Sequence, residues 1–116
     1  MKTSSYFLYK GPGRISISRS IPAQFKNHGI PEYKPLAPGP WFKSVAYDEY
    51  RRLYFAQLAK LNPMQVVADL NALSPDAEPI LLCWEKLFDT KEFCHRHMVA
   101  EWLLSEIGLI VPELYL

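Results

Sequence analysis

The sequence predicts a small α/β domain with a mostly parallel sheet flanked by helices. Residues 80–84 form an unbroken apolar run, Ile-Leu-Leu-Cys-Trp, which is typical of a strand covered on both faces. Residues 44–61 carry apolar side chains at three-and-four spacing, the pattern of an amphipathic helix. Strand and helix patterns alternate along the chain, and this βαβ rhythm favours a parallel sheet in one domain over residues 1–116.

The first third of the chain predicts short strands and a proline-rich loop. Residues 6–9 are rich in aromatics and indicate an edge strand, and residues 14–19 alternate polar and apolar side chains like a second strand near an edge. Five prolines between residues 22 and 41 exclude long regular elements there. We expect a brief strand at residues 33–36 and a rigid loop whose Trp41 and Phe42 either form a binding rim or plug the core.

The later elements follow from capping signals and spacing. Asn62, Pro63 and Gln65 have the residue types of a helix N-cap and first turn, so a second helix begins there, with an inner stripe at Met64, Val67 and Leu70. The central strand at residues 80–84 comes next. A helix over residues 94–107, capped at residue 94 or as early as residue 90, ends at Gly108. Residues 109–111 predict a last short strand.

Composition excludes some protein classes. A hydrophobic fraction of 49% in 116 residues suffices for a core, and no apolar run approaches the ~20 residues of a membrane span. Two cysteines and a start without an apolar export region lead us to expect a reducing cytoplasm and no membrane partner.

Charge is unevenly distributed along the chain. Residues 1–60 hold ten Lys and Arg against three Asp and Glu, whereas residues 61–116 hold three against nine. The two halves either form faces that attract each other or provide a basic surface for phosphate or nucleic acid. Nucleic acid is not favoured, because no cluster of basic residues is dense.

Chemically versatile side chains concentrate at one predicted corner. Cys83 and Glu85 stand at the carboxyl end of the central strand, and Cys94, His95 and Arg96 open the following helix. Arg19 falls where the second strand should end, and it lies at the same edge if that strand is parallel to the central one. Ligands of open parallel sheets bind at this edge.

These segments resemble the domain of unknown function 488 family. Its hallmark is an apolar strand that ends in Cys-x-Glu, followed by Cys-His-Arg at the start of a helix, as at residues 83–85 and 94–96. Residues 17–20 resemble its first strand and arginine, and residues 33–38 its second strand and loop. Residues 100–103 and 111–114 extend the resemblance to nearly the whole chain. It implies a compact α/β fold with a polar pocket built from these motifs.

An anion or nucleotide pocket is the first chemistry that the corner allows. The amino end of the helix favours anions, and Arg19 and Arg96 offer forked donors to phosphate. Glu85 suits a general base or a hydroxyl contact, and Trp84 or Trp41 suits stacking on a ring. The alternative is that Glu85 and an arginine form an internal salt bridge.

Thiol and metal chemistry are further options. Cys94 lies at a helix start beside His95, which favours thiolate and a nucleophilic or redox role. A disulfide with Cys83 is conceivable, although Cys83 also fits a small buried hydrophobe. His95 and His97 are two residues apart on a helix and should point to different sides, so we expect neither a metal nor a cofactor.

We therefore expect a cytoplasmic α/β protein that binds a phosphate-bearing or nucleotide-like ligand, and processing of that ligand is a further hypothesis. Arg19, Arg96, His95, Trp84 and Trp41 are the expected ligand contacts. Cys94 and Glu85 are the candidate catalytic residues. A non-catalytic interaction module that binds a partner at residues 31–45, and a thiol or redox enzyme that uses Cys94, are the alternatives. The sequence leaves the oligomeric state open, and also whether the protein is an enzyme.

Overall fold

The computed structural model describes residues 1–85 and 94–114. Within them, one sheet contains β1 (Lys2–Ser5), β2 (Arg14–Ser16) and β3 (Ile80–Cys83). The α-helices are α1 (Tyr47–Leu58), α2 (Pro63–Leu73) and α3 (His95–Ile107), and short 3₁₀ helices span Ala23–His28 and Lys34–Leu36. This arrangement confirms the predicted α/β class with a parallel sheet.

The sheet brings three strand ends to one edge. The strand order is β1-β3-β2, and both outer strands run parallel to β3. Ile80 is in register with Lys2 on one side and with Arg14 on the other. The carboxyl ends of all three strands therefore meet at one edge, and the predictions of a central β3 and an edge-lying β2 are confirmed.

Both faces of the central strand are covered. Leu81 belongs to the larger core cluster, which contains side chains of all three α-helices. Ile80 and Leu82 belong to a second cluster with Tyr6 and Phe25. Alternate side chains of a strand point to opposite faces, so this division explains why the run at residues 80–84 has no polar position before its end.

The first strand differs from the sequence prediction. It spans Lys2–Ser5 rather than residues 6–9, and a turn follows it at residues 6–8. Thr3, Ser4 and Ser5 are buried although they are polar. The Thr3 hydroxyl donates to Glu113 Oε1 at 2.6 Å, and the Ser5 hydroxyl donates to the Trp84 carbonyl at 3.3 Å. These partners offset the cost of burying hydroxyls, which apolar patterning does not detect.

Two predicted short strands are also wrong. Residues 109–111 form no strand; instead Glu113 makes an isolated bridge to Thr3, and Leu114 N donates to the Thr3 carbonyl at 2.7 Å. Residues 34–36 are a 3₁₀ helix, and Glu32 makes a single bridge to Ser16. Proline has no N–H to donate, so Pro112 and Pro35 each interrupt the ladder that a strand needs.

The helices largely follow their signals. Helix α1 is shorter than residues 44–61 and buries Tyr50, Tyr54 and Leu58. Helix α2 begins as predicted, because Asn62 Oδ1 accepts a hydrogen bond from Gln65 N at 3.1 Å.

The inner stripe of α2 was predicted correctly at Leu70 and Val67 and wrongly at Met64, and the end of α3 was predicted correctly. Val66 and Leu70 are the buried residues of α2, whereas Met64 is 64% exposed. Helix α3 ends at Gly108, which adopts the left-handed conformation (φ 68°) that favours glycine. Among the described helices, none is long and apolar enough to cross a membrane.

Candidate functional site

The predicted site residues divide into an open cavity and a buried cluster. Arg19 and Trp84 line the cavity. Cys94, His95 and Arg96 are buried, together with Cys83. Trp41 lies apart from both groups and packs edge-on against Tyr50, with 5.0 Å between ring centroids.

The open cavity, which we call the Trp84 cavity, combines positive charge with aromatic rings. Its lining residues are Arg19, Ser20, Phe42, Lys43 and Trp84, and its volume is about 310 Å³. The Arg19 guanidinium and the Lys43 ammonium lie 5.5 and 5.4 Å from the centre of the Phe42 ring. These are cation–π distances, so the ring holds both cations beside the cavity.

The sheet explains why these residues meet. Trp84 directly follows β3, and Arg19 lies three residues beyond β2. Trp84 Nε1 donates to the Ser20 carbonyl at 2.9 Å and joins the two strand ends. Arg19 Nη1 donates to the Pro38 carbonyl at 3.0 Å, which fixes the proline-rich loop nearby. Phe42 and its neighbour Trp41 both pack on the core, and Phe42 also lines the cavity.

A second cavity shares Arg19 with the first. It is lined by Arg19, Lys34, Ala37, Pro38, Gly39 and Gln57, and its volume is about 440 Å³. The Lys34 ammonium donates to the Arg19 carbonyl at 2.8 Å. Arg19 thus stands between two cavities that each contain a lysine, and the sequence analysis had not singled out Lys34 or Lys43.

Cys83 and Cys94 form a disulfide below this edge. Their side chains are almost completely buried, with residue exposures of 1% and 3%. This outcome was left open by the sequence, which also allowed Cys83 to be an unpaired apolar residue. In the bonded state neither sulfur is a thiolate, so the nucleophilic role predicted for Cys94 requires reduction first.

His95 is oriented by the end of β2. Its Nε2 lies 2.6 Å from the Ile17 carbonyl, which only accepts hydrogen bonds, so Nε2 carries the proton. The other nitrogen, Nδ1, lies 3.7 Å from Cys94 Sγ. Burial lowers the pKa of His95 to about 4, against the opposing effect of the Ile17 carbonyl and with the help of the Arg96 charge. At neutral pH the imidazole is therefore uncharged, with a lone pair towards the sulfur.

Arg96 braces the corner from inside. It is completely buried, and its Nε and Nη2 each donate to the Glu113 carboxylate at 2.9 Å. Its Nη1 donates to the Glu85 carbonyl at 2.8 Å and lies 3.4 Å from Cys83 Sγ. The guanidinium thus uses all three nitrogens on protein groups. The anion contact predicted for Arg96 stays a prediction, and this placement does not favour it.

Glu113 is the partner that the sequence analysis missed. Burial raises the pKa of its carboxyl, but hydrogen bonds from His97, Arg96 and Thr3, with the Arg96 charge, outweigh that effect and hold the pKa at about 2. A buried guanidinium needs a carboxylate partner, so the charge of Arg96 was the sequence feature from which an acidic partner could have been predicted. The alternative considered from sequence assigned that role to Glu85.

Glu85 contacts Arg96 through its main chain. Its backbone carbonyl accepts from Arg96, and its side chain is half-buried. The pKa of Tyr50 is raised mainly by burial and also by the charge of Glu85. A catalytic role for Glu85 stays a prediction.

Sulfur and nitrogen atoms converge in the buried cluster. Cys83, Cys94 and His95 each offer one possible metal-ligand atom, and these atoms all lie within 4.8 Å of one another. His97 points elsewhere, as its sequence spacing predicted: it is exposed, and its Nε2 lies 3.0 Å from Glu113 Oε1.

One family model matches most of the chain. The model of DUF488-N3a, described as the active DUF488-N3 subclade, matches residues 11–107. This span includes both cavities and the buried cysteines, whereas Glu113 lies beyond it. No curated protein and no solved structure matches the chain. Because the match covers well over half of the sequence and agrees with the resemblance of the Cys-x-Glu and Cys-His-Arg segments, the chain belongs to the DUF488-N3a family, the active DUF488-N3 subclade.

Proposed function

We propose that the protein binds a phosphate-bearing, nucleotide-like ligand in the Trp84 cavity. The observation that carries this proposal is the meeting of two cations, Arg19 and Lys43, with two aromatic rings, Phe42 and Trp84, around one cavity. The cavity also lies at the carboxyl edge of parallel strands, where ligands of such sheets bind.

Each lining residue has a distinct part in the proposal. Arg19 provides planar, forked donors that match phosphate oxygens, and Lys43 adds a point charge. Trp84 is 42% exposed and offers a ring face on which a base can stack. A volume of about 310 Å³ is at the lower limit of small-molecule sites, which suits a mononucleotide better than a dinucleotide.

The processing of such a ligand is the finer part of the proposal. Glu85 directly follows Trp84 in the chain, and a carboxylate at this position suits a general base or a ribose contact. Cys94 would take part only after reduction of the disulfide. The description of the subclade as active is consistent with retained chemistry. Trp41 and Arg96 support the site from the core rather than by contact with the ligand.

Calorimetric titration with AMP, adenosine and inorganic phosphate tests the proposal. We expect AMP to bind more tightly than either fragment, since it engages the cations and the aromatic face together. Arg19→Gln and Lys43→Ala should each weaken AMP binding by about tenfold or more, the usual effect of a lost charged hydrogen bond. Trp84→Leu should weaken AMP binding but leave phosphate binding unchanged.

Matched controls use exposed basic residues elsewhere. Arg52→Gln and Lys60→Ala remove the same charges from helix α1 and the turn after it. If these variants weaken binding as much as the cavity variants do, the attraction is due to net charge alone and the assignment of the cavity is refuted. Failure of the folded wild-type protein to bind any of the three probes refutes the proposed function itself.

A further inference from the structure

We propose that Cys83, Cys94 and His95, when the two cysteines are reduced, bind one thiophilic d¹⁰ cation, Zn²⁺ or Cu⁺. This site lies in the buried cluster and is independent of the ligand proposed for the Trp84 cavity. The disulfide is then the oxidised, metal-free form of the same site.

The three ligand atoms are already assembled. They lie within 4.8 Å of one another, and all three residues are buried. Cys83 ends β3, whereas Cys94 is the N-cap residue of α3 and His95 its first residue, so two rigid elements fix the geometry. The Cα atoms of the cysteines are 7.1 Å apart, which leaves room for two thiolates about 4 Å apart around one ion.

The surroundings fit a metal-ligating histidine. His95 donates its Nε2 proton to the Ile17 carbonyl, which leaves Nδ1 as the ligand nitrogen on the side of Cys94. Ligating histidines almost always donate their second N–H to such a partner. The ring also packs edge-on against Tyr54, with 5.5 Å between centroids, so its plane is fixed.

Charge at the site is also compensated. Binding to two thiolates puts negative charge on sulfur in a dry interior, which is costly without a cation nearby. Arg96 Nη1 lies 3.4 Å from Cys83 Sγ and stabilises that thiolate. Thiolate and imidazole ligands select Zn²⁺ and Cu⁺ over hard cations such as Mg²⁺. Three protein ligands satisfy a trigonal Cu⁺, whereas Zn²⁺ would add a water as its fourth ligand.

Metal binding at this site depends on the redox state of the two cysteines. A dithiol or phosphine reductant supplies two electrons, and two protons are taken up, as the Cys83–Cys94 bond becomes two thiols. Metal binding then releases those two protons, because thiolates are the ligands. The metal-bound and disulfide forms therefore exclude each other.

Metal titration of the full chain in two redox states tests the proposal. The protein is reduced with a phosphine, freed of metal and reductant without oxygen, and titrated with Cd²⁺ while near-ultraviolet absorbance is recorded. We expect one equivalent to bind, with a thiolate-to-cadmium charge-transfer band and protection of both thiols from alkylation. Peroxide-oxidised protein should show neither signal. Parallel titrations of Zn²⁺ and Cu⁺ against competing chelators identify the preferred ion.

Variants separate this site from adventitious binding. Cys94→Ser and His95→Gln should weaken binding at least about 100-fold, since losing a ligand costs no less than losing a supporting partner. His97→Gln, two residues along α3, should bind like the wild type. The proposal is overturned if reduced, folded wild-type protein binds less than one equivalent, if oxidised protein binds equally well, or if His97→Gln is as defective as His95→Gln. If the buried variants fail to fold, the comparison of metal binding by the reduced and oxidised wild-type protein still tests the proposal.

Discussion

Replacement of Arg96 by methionine tests the brace that holds the corner together. Arg96 is completely buried, and its partner Glu113 has a side chain that is only 8% exposed. Methionine keeps much of the volume but leaves the carboxylate buried without its guanidinium. Breaking a buried ion pair from one side costs about 3–5 kcal/mol, so we expect a loss of that size in the free energy of unfolding. For a domain of this length, this corresponds to a fall of about 10–20 °C in Tm.

The pH dependence of the free energy of unfolding provides a second test of the contribution of Glu113. The pKa of Glu113 is lowered from 4.5 to about 2, so the folded protein binds this proton less readily than the unfolded chain. The stabilisation is complete above pH 4.5 and is lost as pH falls towards 2. Its size is about 3 kcal/mol, and it is the joint effect of the hydrogen bonds from His97, Arg96 and Thr3 and of the Arg96 charge. In Arg96→Met the loss of stability between pH 4.5 and 2 should become smaller, because the guanidinium no longer helps to lower the pKa of Glu113.

Urea unfolding of the variants, followed by circular dichroism across pH, provides the measurement. Arg51→Met is the matched control, because the Arg51–Glu101 pair has the same chemistry but is exposed; we expect a much smaller loss there. The double variant Arg96→Met with Glu113→Gln should recover part of the stability, because it removes the unpaired buried charge. A loss in Arg96→Met no larger than in Arg51→Met would refute the reasoning.

Three further predictions concern other buried groups. Reduction of the Cys83–Cys94 bond in metal-free protein should lower stability by about 3 kcal/mol in urea unfolding, the value for a closed loop of 11 residues; an unchanged midpoint would contradict this. Tyr6→Phe should cost about 1–3 kcal/mol, because the Tyr6 hydroxyl joins the buried hydroxyls of Ser16 and Ser18. Thermal melts should show little change for Tyr9→Phe, whose bond is exposed. His95 has its pKa lowered from 6.5 to about 4, so the unfolded chain takes up this proton first; stability should fall by about 3 kcal/mol as pH drops through that window, and His95→Gln should lack this slope.

The sequence predicted well those elements whose signal is local. The apolar run at residues 80–84, the stripe of α1 and the Asn62 cap each depend on neighbours within a few positions, and the structure contains all three. The first strand could not be predicted from its local sequence. Its polar residues are stabilised by hydrogen bonds to Glu113 and Trp84, which are remote in the chain. No local sequence pattern therefore predicts this strand.

The candidate site shows the same division. Arg19 and Trp84 could be placed at one edge from sequence, because parallel strands bring their carboxyl ends together. Lys43 and Phe42 join them only through the path of the proline-rich loop, which Arg19 fixes by its bond to Pro38. The Cys-His-Arg segment was located correctly, but its side chains proved to be buried rather than open to a ligand.

The sequence by itself determined the α/β class, the central strand, the main helices and the concentration of cysteine, histidine and arginine at one corner. Tertiary structure alone decided the partners: Glu113 for Arg96, Cys94 for Cys83, and the Ile17 carbonyl for His95. The physical reason is that patterning reports which surface is buried, whereas the pairing of buried polar groups depends on distances between segments far apart in the chain.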